Sequence, residues 1–269
     1  GHGGTGGCIF CSSQGSGDFA GSARLSIAEQ IRQGKADISS KRPVHSYIAY
    51  FQAFTNTYAP VETLRALYME AIADPEVKIL SIATRPDCLG ADVLALLDEI
   101  NQIKPVWVEL GLQTIHPETS AYIRRGYELS VFEQAVKELR AIGITVIVHT
   151  ILYLPGETKD DMLDTIHYLN HMDIQGIKLQ LLHVLTHTDL AADYEKHPFY
   201  IPDMQDYIQF LGTCIAHLNP EIVIHRLTGD GPKDLLIAPL WTSNKRTVLN
   251  QLHSHLKEQD IWQGKEYYV

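Results

Sequence analysis

Cysteine is scarce in this chain, with four among 269 residues. So few cannot build a disulfide framework, and two of them stand together as Cys8 and Cys11, a Cys-x-x-Cys pair of the kind that serves a metal or redox site. Positive charge is also short: 22 Lys and Arg face 32 Asp and Glu, for a net charge of −10. That balance excludes a broad nucleic-acid footprint, which needs clustered cations, and leaves room only for a local basic groove. No apolar run approaches the ~18–20 residues that cross a bilayer. No secretory signal opens the chain. Membrane partners are therefore not expected, and the expected compartment is the cytoplasm. Repeats, low-complexity tracts and obvious linkers are missing as well.

What is present is a core-forming composition, 45% hydrophobic. That is enough for one large α/β domain or two small ones. Strand and helix patterns alternate along the chain. Strands are expected at 45–54, 77–84, 106–113, 145–154, 176–184 and 221–227, where β-branched and apolar residues are dense. Helices are expected at 26–34, from Pro60 to Asp74, and at 91–103, 117–124, 204–218 and 243–258. Another should open on a Ser130/Glu133 capping box and end at Gly143, and a further one on a Thr158/Asp161 box. Such alternation means a parallel sheet with right-handed crossovers, open or closed into a barrel, with functional residues at the C-terminal strand ends.

Cys8 and Cys11 lie in the glycine-rich run GHGGTGGCIFC. Two thiolates three residues apart can grip one metal centre, and glycines let the backbone wrap closely around it. Read alone, the pair fits an iron–sulfur site, half of a zinc site with His2, or a redox dithiol. Glu109 and Gln113 sit on the strand VWVELGLQT with one parity, hence on one side. A carboxylate in an apolar strand is costly unless it is paired or faces a cavity. Thr84 and Arg85 close the preceding strand at an expected site rim. Cys88 and Cys214 read as packed residues. His149, alone in the apolar run TVIVHTILYL, suits a core histidine with its hydrogen bonds satisfied.

GGCIFC, ELGLQT, IRRGY and YLPGET, in this order and spacing, resemble the radical S-adenosylmethionine (SAM) superfamily over residues 3–235. The likeness is greatest to the group containing the Elongator-type radical domain and oxygen-independent coproporphyrinogen oxidase, and within it to an uncharacterised bacterial subfamily. The resemblance implies a partial (β/α)6 barrel at 1–235, its first strand apparently missing, and a helical extension at 236–269. It implies a [4Fe–4S] cluster on three cysteines, with Cys8 and Cys11 as the last two and the first about ten residues earlier, upstream of residue 1.

SAM would bind that cluster and, given one electron, yield methionine and a 5′-deoxyadenosyl radical that takes hydrogen from a substrate. The enzyme would be an oxidoreductase or transferase. Its substrate would be a small molecule or protein, and its electron donor an external protein such as flavodoxin or ferredoxin. By the same resemblance Phe10 lies near the adenine, as does the Pro155-Gly156 turn. Gln52, Thr55, Asn56 and Thr57 face the SAM amino group. Gln113 lines the SAM site, Arg125 pairs with the SAM carboxylate and His149 faces the ribose; Thr84 and Glu109 complete the cofactor-binding set. Gln180, His183, Arg226 and Asp230 are candidates for substrate contact. The competing reading is a zinc-stabilised or cluster-free barrel serving as a binding or regulatory module. A hydrolase built on Glu109 and His149 lacks a nucleophile motif.

Overall fold

Apolar stretches bounded by turn residues become strands, and the amphipathic stretches between them become helices. The computed structural model describes residues 7–11, 21–22, 24–40, 43–229 and 231–268; His2 and Asp230 lie outside them. In chain order the elements are α1 (Ile27–Ser39), β1 (Tyr47–Phe51), α2 (Val61–Ala73), β2 (Val77–Thr84), α3 (Ala91–Asn101), β3 (Val106–Gln113), α4 (Pro117–Tyr122) and α5 (Leu129–Ala141). They continue as β4 (Thr145–Leu152), α6 (Lys159–Asn170), β5 (Gly176–Leu181), β6 (Val184–Leu185), α7 (Asp189–Lys196), α8 (Met204–His217), β7 (Val223–Arg226), β8 (Leu236–Ala238) and α9 (Lys245–Glu258). Strands β1-β2-β3-β4-β5-β7 form a six-stranded sheet in that order. Neighbours β1/β2, β2/β3 and β5/β7 run parallel, as the alternation requires. Two compact units divide the chain: the described residues of Gln14–Gly111 with Ser130–Ile147, and those of His2–Ser13, Leu112–Leu129 and Val148–Val269.

In the first unit, β2 is buried along nearly its whole length, with Leu80 and Ile82 fully enclosed. Tyr68 of α2 is also fully buried, stacks edge-on against Phe51, and donates its hydroxyl to the Asn56 carbonyl at 2.6 Å. That one bond ties α2 to the loop after β1. α1 starts at a Ser26/Glu29 capping box and runs five residues beyond the expected end at 34. α5 begins at Leu129, so Ser130, the expected cap, lies inside its first turn.

In the second unit, the Thr158/Asp161 box forms as expected. β4 stops at Leu152 because Tyr153 takes φ +62°, a conformation no strand continues through. The expected strand 176–184 divides into β5 and the two-residue β6. β6 pairs antiparallel with β8, which had no sequence expectation. α7 was likewise not expected. Residues 236–269 thus supply a strand as well as α9. α9 packs on α8 at Gly212, where a Cβ would come 3.3 Å from the His255 ring.

Candidate functional site

In the first unit the expected cofactor residues Gln52, Thr55, Asn56 and Thr57 follow β1, Thr84 ends β2, and Glu109 stands midway along β3. Glu109 of β3 is only 5% exposed. One carboxylate oxygen accepts the Tyr50 hydroxyl at 2.7 Å and the other accepts Ser81 at 2.9 Å, so three adjacent strands meet at one buried charge. Two hydroxyl donors offset much of its desolvation. Sequence reading singled out Glu109 but missed Tyr50 and Ser81. Their signal was a tyrosine and a serine in neighbouring apolar strands.

Thr57 and Thr84 share a buried hydrogen bond of 2.5 Å, and Thr57 also donates to the Cys88 carbonyl at 2.6 Å. Asn56 spends its amide protons on the Phe51 and Ala83 carbonyls, both at 2.9 Å. These residues hold the turn after β1 against the end of β2, with Thr55 half-buried beside them. Gln52 and Asn56 line a cavity of about 460 Å³ between α1 and β1, walled by Ile27, Ile31 and Ile48. Arg85 pairs with Asp87 at 2.8 Å. Burial pushes the Cys88 thiol up, and the neighbouring Asp87 adds to it.

In the second unit the cysteine loop is placed by the residue between the thiols that sequence reading passed over. Ile9 is 6% exposed and packs with Ile123, Leu154, Leu182, Val184 and Leu190. Its N–H donates to the Ile123 carbonyl at 3.3 Å, and its own carbonyl accepts from Leu190 at 2.9 Å. Ile123 belongs to the IRRGY motif and Leu154 to YLPGET, so one isoleucine binds three motifs together. Cys11 N–H closes the turn on the Cys8 carbonyl at 3.2 Å. Cys8 is half-buried and Cys11 exposed, while Phe10 packs on the edge of the Ile9 cluster. The apolar anchor points inward and the thiols stay outside the core.

β3 ends in strained backbone. Gln113 takes φ +69°, and Thr114 N–H reaches back to the Leu112 carbonyl at 2.9 Å, a γ-turn of the rare positive-φ kind. The two-residue alternation on which the Glu109/Gln113 parity rests ends there. Arg125, 3% exposed, braces this turn: its guanidinium donates to the Leu112, Thr114 and Tyr127 carbonyls at 3.2, 2.6 and 3.1 Å. Burial lowers its pKa, while Tyr127 and Glu128 oppose that shift.

The YLPGET turn is held similarly. Tyr153, also at positive φ, donates to Asp206 at 2.8 Å, Tyr200 donates to the same carboxylate at 3.1 Å, and Lys159 pairs with it. Burial would raise Asp206, but hydrogen bonds from Lys159, Tyr153 and Tyr200 outweigh it and hold the carboxyl below its usual range. Glu157 goes the other way: burial pushes its carboxyl up, against the Thr114 and Thr119 hydroxyls beside it. His149 is half-buried in β4. Next to it Thr150 donates to the Lys178 carbonyl at 3.0 Å. Lys178, in β5, is a buried lysine that the sequence reading did not flag.

The donor set fits part of an iron–sulfur ligand shell. Cys8 and Cys11 supply two thiols in one turn, beside a glycine-rich backbone. Cys214 is buried within α8 and its thiol is pushed up by burial, which keeps it protonated and unsuited to metal. Among the described residues no group of three or more His, Cys, Asp or Glu side chains converges to hold a metal ion. Nor is any helix among them long and apolar enough to cross a membrane.

A parallel α/β sheet with helical crossovers and a Cys-x-x-Cys loop docked on the IRRGY and YLPGET segments define a partial α/β barrel as the class. The chain belongs to the radical SAM superfamily. The Radical SAM superfamily profile matches residues 1–169, and the Radical_SAM C-terminal domain matches residues 174–258. The chain is 43% identical over 260 residues to the uncharacterized protein YtqA of Bacillus subtilis, covering 97% of this chain and 81% of YtqA. It is 36% identical to YhcC of Escherichia coli K12, covering 96% and 82% of the two chains.

Among solved structures, Elp3 of the archaeon Methanocaldococcus infernus superposes with a TM-score of 0.73 at 14% identity, covering 88% of this chain and 59% of that one. Coproporphyrinogen III oxidase (HemN) of Escherichia coli, a radical SAM enzyme, superposes with a TM-score of 0.54 at 16% identity, covering 77% and 50%. The fold is therefore the partial radical-SAM-type barrel that the motif order implied, and this chain spans about six tenths of the Elp3 chain's length.

Proposed function

We propose that this chain is a radical SAM enzyme that binds a [4Fe–4S] cluster and S-adenosylmethionine and takes hydrogen from a small-molecule or protein substrate. The observation that carries the reading is the docking of Cys8-Ile9-Phe10-Cys11 through Ile9 onto the IRRGY and YLPGET segments. Reductive cleavage of SAM to a 5′-deoxyadenosyl radical is the chemistry the cluster supplies when bound.

Cys8 and Cys11 would hold two of its irons. The Ile9 anchor holds the loop that carries those thiols against the core. The Gln113 turn, braced by Arg125, presents a side-chain amide and fixed carbonyls at a strand end. Glu109 ties β1, β2 and β3 together through Tyr50 and Ser81, and the Gln52–Thr57 segment after β1 offers acceptor oxygens to an ammonium. A thiolate pair that must stay reduced suits the cytoplasm, with flavodoxin or ferredoxin as the electron source. The second reading, a zinc-stabilised or cluster-free binding module, draws on the fact that the described residues bring only two thiols together.

The deciding test is anaerobic reconstitution with iron and sulfide, followed by dithionite and SAM and an assay for 5′-deoxyadenosine. Product that disappears in the Cys8→Ala/Cys11→Ala variant supports radical chemistry. A colourless protein that retains zinc and cleaves no SAM supports the binding module.

A further inference from the structure

Where α6, α8 and the C-terminal segment of the second unit meet, two histidines and a carboxylate form a chain that no step above uses. His167 Nε2, on α6, lies 3.2 Å from Nδ1 of His217, the last residue of α8. The two ring planes stand at 69°. On its far side, His217 Nε2 lies 3.0 Å from a Glu266 carboxylate oxygen. The carboxylate accepts a hydrogen bond from Nε2–H, which in the neutral ring leaves Nδ1 bare and facing His167.

Two imidazole nitrogens bound to one Zn²⁺ at about 2.0–2.1 Å with tetrahedral angles stand about 3.3 Å apart, close to the spacing found here. A carboxylate on the other nitrogen of a ligating histidine is also the usual outer partner of such a site, fixing tautomer and ring orientation.

We propose that His167 Nε2 and His217 Nδ1 are the two protein ligands of a surface site for a divalent transition metal such as Zn²⁺, with Glu266 orienting His217 and water completing the coordination. When the ion enters, His167 carries its proton on Nδ1 and both facing nitrogens present lone pairs. The frame is already built. The His217 carbonyl accepts from Asn170 at 2.8 Å, and Asn170 in turn accepts the Asn219 N–H at 2.8 Å. Glu266 N–H donates to the Ala216 carbonyl at 2.8 Å and Gly264 N–H to Ile215 at 3.2 Å. Helix α6, the end of α8 and the segment 264–266 are therefore held before any ion arrives. Because Glu266 grips a ligand, metal occupancy would tie the C-terminal segment more firmly to α8. This site is independent of the cysteine loop and of the radical SAM reading.

The test is calorimetric titration of the whole chain with Zn²⁺, repeated on His167→Ala and Glu266→Gln, both changed at partly exposed side chains that the core does not need. Zinc taken up by the thiols is common to all three and cancels in the comparison. Wild type should bind one more ion per chain than His167→Ala. Glu266→Gln should bind that ion about 10- to 100-fold more weakly, the usual effect of losing an outer-shell carboxylate. Zn²⁺ should also slow hydrogen exchange at the Glu266 amide in wild type and leave it unchanged in His167→Ala. Equal stoichiometry in wild type and His167→Ala, or an exchange rate indifferent to Zn²⁺, overturns the proposal.

Discussion

Replacing Ile9 by alanine should release the cysteine loop without unfolding the protein. Ile9 is nearly buried in the cluster of Ile123, Leu154, Leu182, Val184 and Leu190. The change removes three carbons, about 2.4 kcal/mol at about 0.8 kcal/mol each. The cavity left behind adds to this, within the 2–5 kcal/mol typical of such truncations. Two backbone hydrogen bonds at Ile9 accompany the anchor, Ile9 to Ile123 and Leu190 to Ile9. A loss of about 3 kcal/mol raises the open population of the loop about 100-fold.

Hydrogen exchange of the Leu190 amide reads the opening directly, because that donor sits at the start of α7 and Ile9 is its acceptor. Alkylation of the half-buried Cys8 should accelerate in parallel, while the melting temperature moves little. Ile9→Val, costing about 0.5–1.5 kcal/mol, should give a small fraction of the effect. If Ile9→Ala leaves both Leu190 exchange and Cys8 alkylation at wild-type rates, the loop is held by something else and the anchoring argument fails.

Three other outcomes are expected. Ser81→Ala removes a hydroxyl donor to the buried Glu109 and should lower stability by about 1.5–3 kcal/mol in urea titration; a change near zero would mean that this bond contributes nothing net. Gln113→Gly relieves positive-φ backbone at a γ-turn, so net stability should rise by up to about 1 kcal/mol after the added chain entropy of glycine. Under the proposed function the same variant should bind SAM more weakly in equilibrium dialysis.

Asp206 is held below its usual range in the folded state, so the stability it contributes is present above the ordinary aspartate pKa and lost as pH falls through the depressed folded value. Asp206→Asn should therefore destabilise at pH 7 and converge with wild type in acid, as thermal melts across pH would show. A pH-independent difference would refute the linkage.

Much of the fold was legible because its signals are local. β2 and β3 fall at the expected residues, and the Thr158/Asp161 box forms, since strand runs and capping side chains depend on neighbours a few residues apart. At α5 the boundary moved by one residue: the helix starts at Leu129, not at the expected Ser130. The motif order likewise pointed to the superfamily that the profile and relatives show.

The sequence by itself named the candidate residues: two thiols in a glycine-rich loop, a carboxylate in an apolar strand, an arginine after ELGLQT. Their partners were decided only by the tertiary structure. Ile9 looks like filler between two cysteines until residues from IRRGY, YLPGET and α7 close around it. Tyr50 and Ser81 become the donors to Glu109 only when β1, β2 and β3 lie side by side. His167 and His217 meet only because α6 packs on α8. Propensity and capping act over one or two helical turns, whereas these contacts join residues from 28 positions apart, Ser81 and Glu109, to 181 apart, Ile9 and Leu190, and only the packed core brings them within bonding distance.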